Sequence, residues 1–176
     1  MVDWGCMYKY EDEGIMPIRT RGTLLSISRA KKEDLHDILE LQYMAYQSEA
    51  ALLDNYEIPP LKQTFEDIKS EFSKSIFLKV TDENNKIVGS VRGRITEGAL
   101  FIGKLIVDPD LQGEGIGKKL LQEIERIGEC NRCELFTSSK SIRNIGLYEN
   151  VGYLIFKEEQ VSDGLSFIYL QKTKKD

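Results

Sequence analysis

From Leu24 onward the apolar positions follow two alternating rhythms. Leu24, Leu25 and Ile27, ahead of Arg29, predict a first strand. Ala30 to Asp34 then opens a helix whose inner face carries Leu35, Ile38, Leu39, Leu41, Gln42 and Ala45, the three-and-four spacing of a half-buried helix. Residues 46–60 are the least regular stretch of the middle, and Pro59-Pro60 predicts that any helix stops there. Phe65, Ile68 and Phe72 predict a second helix over about 61–73. Strands are expected at 76–81, 87–95 and 100–107, joined by turns at Asp82 to Lys86 and at Glu97-Gly98. Ile116, Leu120, Leu121, Ile124 and Ile127 predict a further helix, Glu134 to Thr137 a short strand, 141–150 a helix, and 153–158 and 165–171 the last strands.

This order predicts an α/β (α+β) domain with a single mixed, mostly antiparallel sheet flanked by helices. Successive hairpins imply antiparallel pairing. The crossover through the helix at 116 implies one parallel pair. Residues 1–22 show neither rhythm and are assigned to an N-terminal extension; residues 23–176 are assigned to the domain. His36, the single histidine, reads as a surface or helix-packing residue.

Composition narrows the function. Of 176 residues, 41% are hydrophobic and 30% charged, as in soluble globular domains. Net charge is −5, which argues against a nucleic-acid surface. No apolar run approaches the ~20 residues of a membrane span, and no secretory leader is visible, so the expected compartment is cytoplasmic. Cys130-Asn-Arg-Cys133 lacks the second ligand pair of a zinc site. It also follows a helix rather than opening one, unlike a reactive thiolate. It reads as a helix-to-strand connection, and no metal is expected.

The richest chemistry lies between the strand at 100–107 and the next helix. Gly113, Gly115 and Gly117 fall within five residues of a strand–loop–helix junction. Glycine lets backbone approach a ligand closely, and free N–H groups at a helix start favour an anion. A P-loop needs four residues before its Gly-Lys-Ser/Thr, but three separate Gly113 from Gly117. A dinucleotide fingerprint needs G-x-G-x-x-G, but Lys118 holds the third glycine's place.

Gln112-x-x-Gly115-x-Gly117 after Val107-Asp-Pro, followed by Leu147-Tyr148-Glu-Asn-Val-Gly152-Tyr153, resembles the GNAT superfamily of N-acetyltransferases. The resemblance spans about Leu24 to Gln171. It implies an acyl-CoA N-acyltransferase fold and acetyl-CoA as acyl donor. The amides of Gln112, Gly113, Glu114, Gly115, Ile116, Gly117 and Lys118 would bind the coenzyme A pyrophosphate. Two parallel strands would part, and the pantetheine arm would borrow backbone groups of Leu105, Ile106 and Val107 as though it were a strand. Asn144 is carried over as a cofactor contact, one turn beyond the family's usual position, which Ser141 occupies here.

Acetyl transfer to an amine needs a proton acceptor, an oxyanion donor and a proton for the departing thiolate. In the resembled family Tyr148 would supply that last proton. The strand Leu100 to Val107 has no acid, and Glu49, Asp54, Glu57 and Glu97 are the carboxylates within reach; the base stays open. The leading expectation is an acetyl-CoA-dependent N-acetyltransferase acting on a primary amine of a small molecule or peptide by direct attack in a ternary complex. The alternatives are a non-catalytic CoA-binding sensor of the same fold and an unrelated phosphate binder. The acceptor carries no readable code, and a homodimer is left open.

Overall fold

The computed structural model describes residues 14–20 and 22–173. Trp4, Cys6 and the acidic run at Glu11 to Glu13 lie outside the described residues. Eight strands form one sheet in the order β1-β2-β3-β4-β5-β6-β8-β7. They are β1 (Met16–Thr20), β2 (Thr23–Arg29), β3 (Ile76–Thr81), β4 (Ile87–Thr96), β5 (Ala99–Val107), β6 (Arg132–Ser138), β7 (Leu154–Ser162) and β8 (Leu165–Thr173). Every pairing is antiparallel except β5 with β6. The mixed sheet matches the expectation from the hydrophobic rhythm.

The helices are α1 (Leu35–Ala45), α2 (Gln47–Leu53), α3 (Pro59–Lys62), α4 (Phe65–Phe72), α5 (Ile116–Gly128) and α6 (Ile142–Asn150). Two apolar layers form, one on each sheet face. On one, Leu35, Ile38 and Leu41 of α1 and Ile68 of α4 pack with Phe77, Ile87 and Ile106. On the other, Ile116, Leu120, Leu121 and Ile124 of α5 pack with Val88, Val91, Leu100 and Leu135, joined by Tyr148 and Tyr153. Strand β4 is covered on both sides, so Ile87 to Gly93 are all buried. Gly93 leaves room for this packing: a Cβ there would lie 2.9 Å from both Ile124 and Leu100.

Two segments differ from the sequence reading. Met16–Thr20, placed with the extension, pairs with β2 along its whole length and buries Ile18 to 5% exposure. Five residues are too few to establish a period, so the pattern gave no signal. Residues 46–60 are also more regular than expected. They hold α2, and Pro59 starts α3 rather than ending a helix, because the first helical position needs no N–H. The expected helix over 61–73 is broken at Gln63. Thr64 and Asp67 close a capping box there, with Thr64 N donating to Asp67 at 2.8 Å and Asp67 N to Thr64 Oγ1 at 3.2 Å. His36 stacks flat on Phe65, 3.8 Å between ring centres, which fits a packing role.

Candidate active site

Strands β5 and β6 pair only at Ala99↔Arg132, Leu100↔Cys133 and Phe101↔Glu134. Beyond Phe101 they part. From Ile102 to Val107 the β5 edge that faces β6 has no ladder partner among the described residues. A bulge accompanies the parting. Ser90 pairs with Ile106 and Arg92 with Gly103, so β5 carries one residue more than β4 across this step. Lys104 takes it up in the left-handed region at φ 47, bending the strand locally. Leu105, Ile106 and Val107 therefore line the open side of the gap.

The glycine-rich loop closes the end of that gap. Asp108 caps a short 3-10 turn at Pro109–Leu111, accepting from Asp110 N at 3.1 Å, and is tied to Lys86 at 2.9 Å. Burial raises the Asp108 carboxyl, but the Lys86 ammonium and the Asp110 N–H outweigh it and hold it below its ordinary value. Gly113 and Gly115 both sit at positive φ, 85 and 84, a conformation that costs other residues about 1 kcal/mol or more. Gly115 ends the loop, and α5 starts at Ile116. The first N–H groups of α5 thus point outward without helical partners, with Lys118 and Lys119 in the same turn.

Gln112 joins three elements. Its Nε2 donates to Val107 O at 3.2 Å, and its Oε1 accepts from Arg143 of α6 at 2.9 Å. A Cβ on Gly113 would lie 3.8 Å from the Arg143 guanidinium. Arg143 had no distinguishing signal in the sequence, because its approach to the loop depends on α6 folding back over it. Gly117 faces Leu105, Val107 and Leu147 at ordinary contact distance.

Helix α6 forms the gap's other wall. Asn144 Nδ2 reaches Thr137 Oγ1 of β6 at 3.5 Å. Tyr148 is buried and lies two turns after Ser141. Burial, with Tyr46 and Glu49 nearby, pushes its hydroxyl above the ordinary phenol range, so the proton stays on across neutral pH. Ser141, just past the end of β6, sits with its hydroxyl 2.6 and 2.7 Å from the two oxygens of Glu49 on α2.

A second polar cluster lies across the sheet on the α1–α4 side. The Arg92 guanidinium of β4 donates to Glu71 at 2.7 Å, Gln63 at 2.9 Å and Gln42 at 2.6 Å, and lies 4.7 Å above the Phe77 ring. Lys104 adds a 3.3 Å contact to Glu71. Tyr46, next to this cluster, is pushed up to about 12, mainly by burial. The sequence reading missed the cluster because its members come from α1, α4, β4, β5 and the link between α3 and α4.

The acetyltransferase (GNAT) family profile matches residues 33–153. The chain belongs to the GNAT acetyltransferase family. A curated relative, N-alpha-acetyltransferase 30 of Dictyostelium discoideum, is 26% identical over 156 residues, covering 78% of this chain and 83% of that one. Another, UPF0157 protein YqkA of Bacillus subtilis (strain 168), is 26% identical over 130 residues, covering 73% of this chain. This GNAT chain spans only 37% of YqkA's length. Among solved structures, PaiA N-acetyltransferase of Thermoplasma acidophilum in complex with coenzyme A superposes with a TM-score of 0.71 at 19% identity, covering 85% of this chain and 99% of that one. The single mixed sheet flanked by helices matches the fold of such acetyltransferase structures. No described helix is long and apolar enough to cross a membrane.

Proposed function

We propose that the protein is an acetyl-CoA-dependent N-acetyltransferase that moves an acetyl group to a primary amine by direct attack in a ternary complex. The observation that carries this reading is the parting of β5 from β6 after three pairs, directly beside the glycine loop and the start of α5. In this reading the pyrophosphate lies on the amides of residues 112–118, with Arg143 alongside. The pantetheine arm follows Leu105, Ile106 and Val107 into the gap, past Asn144, and brings the thioester toward Tyr148. Nitrogen attacks the carbonyl carbon, the C–S bond breaks, and Tyr148 donates a proton to the sulfur. Acceptors are small amines and peptide amino termini; the N-alpha-acetyltransferase likeness makes peptides the first to try.

The test pairs binding with turnover. Acetyl-CoA should raise the melting temperature, because it binds only the folded state, and free thiol should appear when an accepted amine is added. Gly117→Asp should abolish the stabilisation by placing a carboxylate in the first turn of α5. Gly117 is the better position than Gly115, whose positive φ would strain any replacement. Unchanged affinity in Gly117→Asp would refute the loop assignment. Binding without turnover on a broad amine and peptide panel would instead select a CoA-binding sensor.

A further inference from the structure

Strand β5 offers the attacking amine no carboxylate, so its proton must go elsewhere. We propose that Glu49 of α2 takes that proton, as a catalytic residue of the acetyltransferase reading on which this inference rests. Its carboxylate is held against Ser141 at 2.6 and 2.7 Å. Ser141 lies three residues past Ser138, the last residue of β6, so the contact fixes the carboxylate at the open end of the gap. Among the described residues, no lysine or arginine forms an ion pair with it, which leaves lone pairs for a substrate N–H.

The other carboxylates are placed for other tasks. Glu57 is 75% exposed and pairs with Lys62 at 2.6 Å. Asp54 is the exposed left-handed residue that ends α2. Glu97 sits in the exposed turn at the far end of β5. Glu71 is occupied by Arg92 and Lys104. Among these carboxylates, Glu49 alone comes from the α1–α4 side of the sheet and bonds to Ser141, the residue that caps α6. The groups facing it are Ser141 at the cap of α6, Tyr148 of α6 and Tyr46 at the α1–α2 junction. Arg92 and Glu71 also act electrostatically on Tyr46.

The proton balance closes. A neutral amine attacks, and the N–C bond forms as one N–H proton passes to Glu49. The C–S bond breaks as Tyr148 gives its proton to sulfur. The proton on Glu49 then restores Tyr148, directly or through solvent, and the enzyme returns to its starting state.

Wild type, Glu49→Gln and Ser141→Ala are compared on one alkylamine acceptor, with acetyl-CoA affinity and melting temperature measured in parallel. Gln keeps an oxygen for the Ser141 hydroxyl but cannot take a proton. Glu49→Gln should lose about 10²–10⁴-fold in kcat, with acetyl-CoA affinity within a few-fold of wild type. The loss should hold for an arylamine acceptor, already neutral at pH 7, because its N–H proton must still leave as the N–C bond forms. Ser141→Ala keeps the carboxylate and should retain turnover within about tenfold. Glu49→Gln turning over near the wild-type rate would overturn the assignment. So would Ser141→Ala being as inactive as Glu49→Gln, or Glu49→Gln failing to fold while Ser141→Ala folds and is inactive; each would make the contact structural. A wild type that turns over no acceptor would overturn the acetyltransferase reading itself, and this role with it.

Discussion

The ion cluster around Arg92 contributes measurably to holding α1 and α4 on the sheet. The Arg92 side chain is 3% exposed and Glu71 is 30% exposed. Replacing Glu71 with Met leaves the guanidinium buried with only the neutral acceptors Gln63 and Gln42, while its Nε already lacks a partner. Breaking a buried pair from one side costs about 3–5 kcal/mol. Glu71 is partly reached by water, so the lower end, about 3 kcal/mol, is expected. In a chain of this size that lowers the melting temperature by about 6–12 °C. Arg92→Met combined with Glu71→Met removes both charges and should be more stable than either single variant, because neither member of the pair is then left buried without the other. Denaturant unfolding of the four proteins supplies the cycle. Burial raises the Glu71 carboxyl, but Arg92, Gln63 and Lys104 outweigh it, and its folded pKa lies below the ordinary 4.5. A depressed carboxyl contributes stability above the unfolded pKa and loses it as pH falls through the folded one. The gap between wild type and Glu71→Met should therefore be full at neutral pH and close below about 4.5. A single-variant loss under about 1 kcal/mol, or a double variant less stable than both singles, would refute the reasoning.

Two other outcomes are expected. Tyr148→Phe keeps the ring packed against Tyr153, 6.1 Å between centres, and should lower kcat and kcat/KM alike by about 10²–10⁴; turnover within a few-fold of wild type would make the tyrosine a packing residue. Removing residues 1–22 takes away β1 and the buried Ile18 and should cost about 1.5–3 kcal/mol from that side chain alone; unchanged denaturant stability would show that β1 adds nothing to the core.

The long elements could be read from the sequence because they are long and sharply bounded. The stripe of α5 repeats often enough to fix a helical period, and the runs at 76–81, 87–96 and 99–107 are apolar stretches closed by the turns at Asp82 to Lys86 and Glu97-Gly98. The glycine loop was legible for another reason: its spacing encodes backbone conformations that only glycine adopts cheaply, as φ at Gly113 and Gly115 shows. Elements of about two helical turns or five strand residues carried too little pattern, so β1 and α2 went unseen. Contacts between distant segments were illegible altogether. Glu49 and Ser141 are 92 residues apart, and Arg92 and Gln42 are 50 apart. Nothing local marks either pair, since their meeting depends on the whole sheet assembling first.

The three register pairs between β5 and β6 leave a line of sparse backbone pairing across the eight-stranded sheet. Strands β1 to β5 form one panel and β6, β8 and β7 the other, stitched by a seam with little backbone hydrogen bonding of its own. Cooperative unfolding units follow such weak boundaries. The covalent hinge between the panels is α5, whose stripe is buried on the first panel while its end leads into the second. A ligand that lies along the seam and bonds to β5 as a strand would act as a rivet. It would add backbone bonds across a seam that the shared apolar layer now bridges, and would slow amide exchange in strands it never touches.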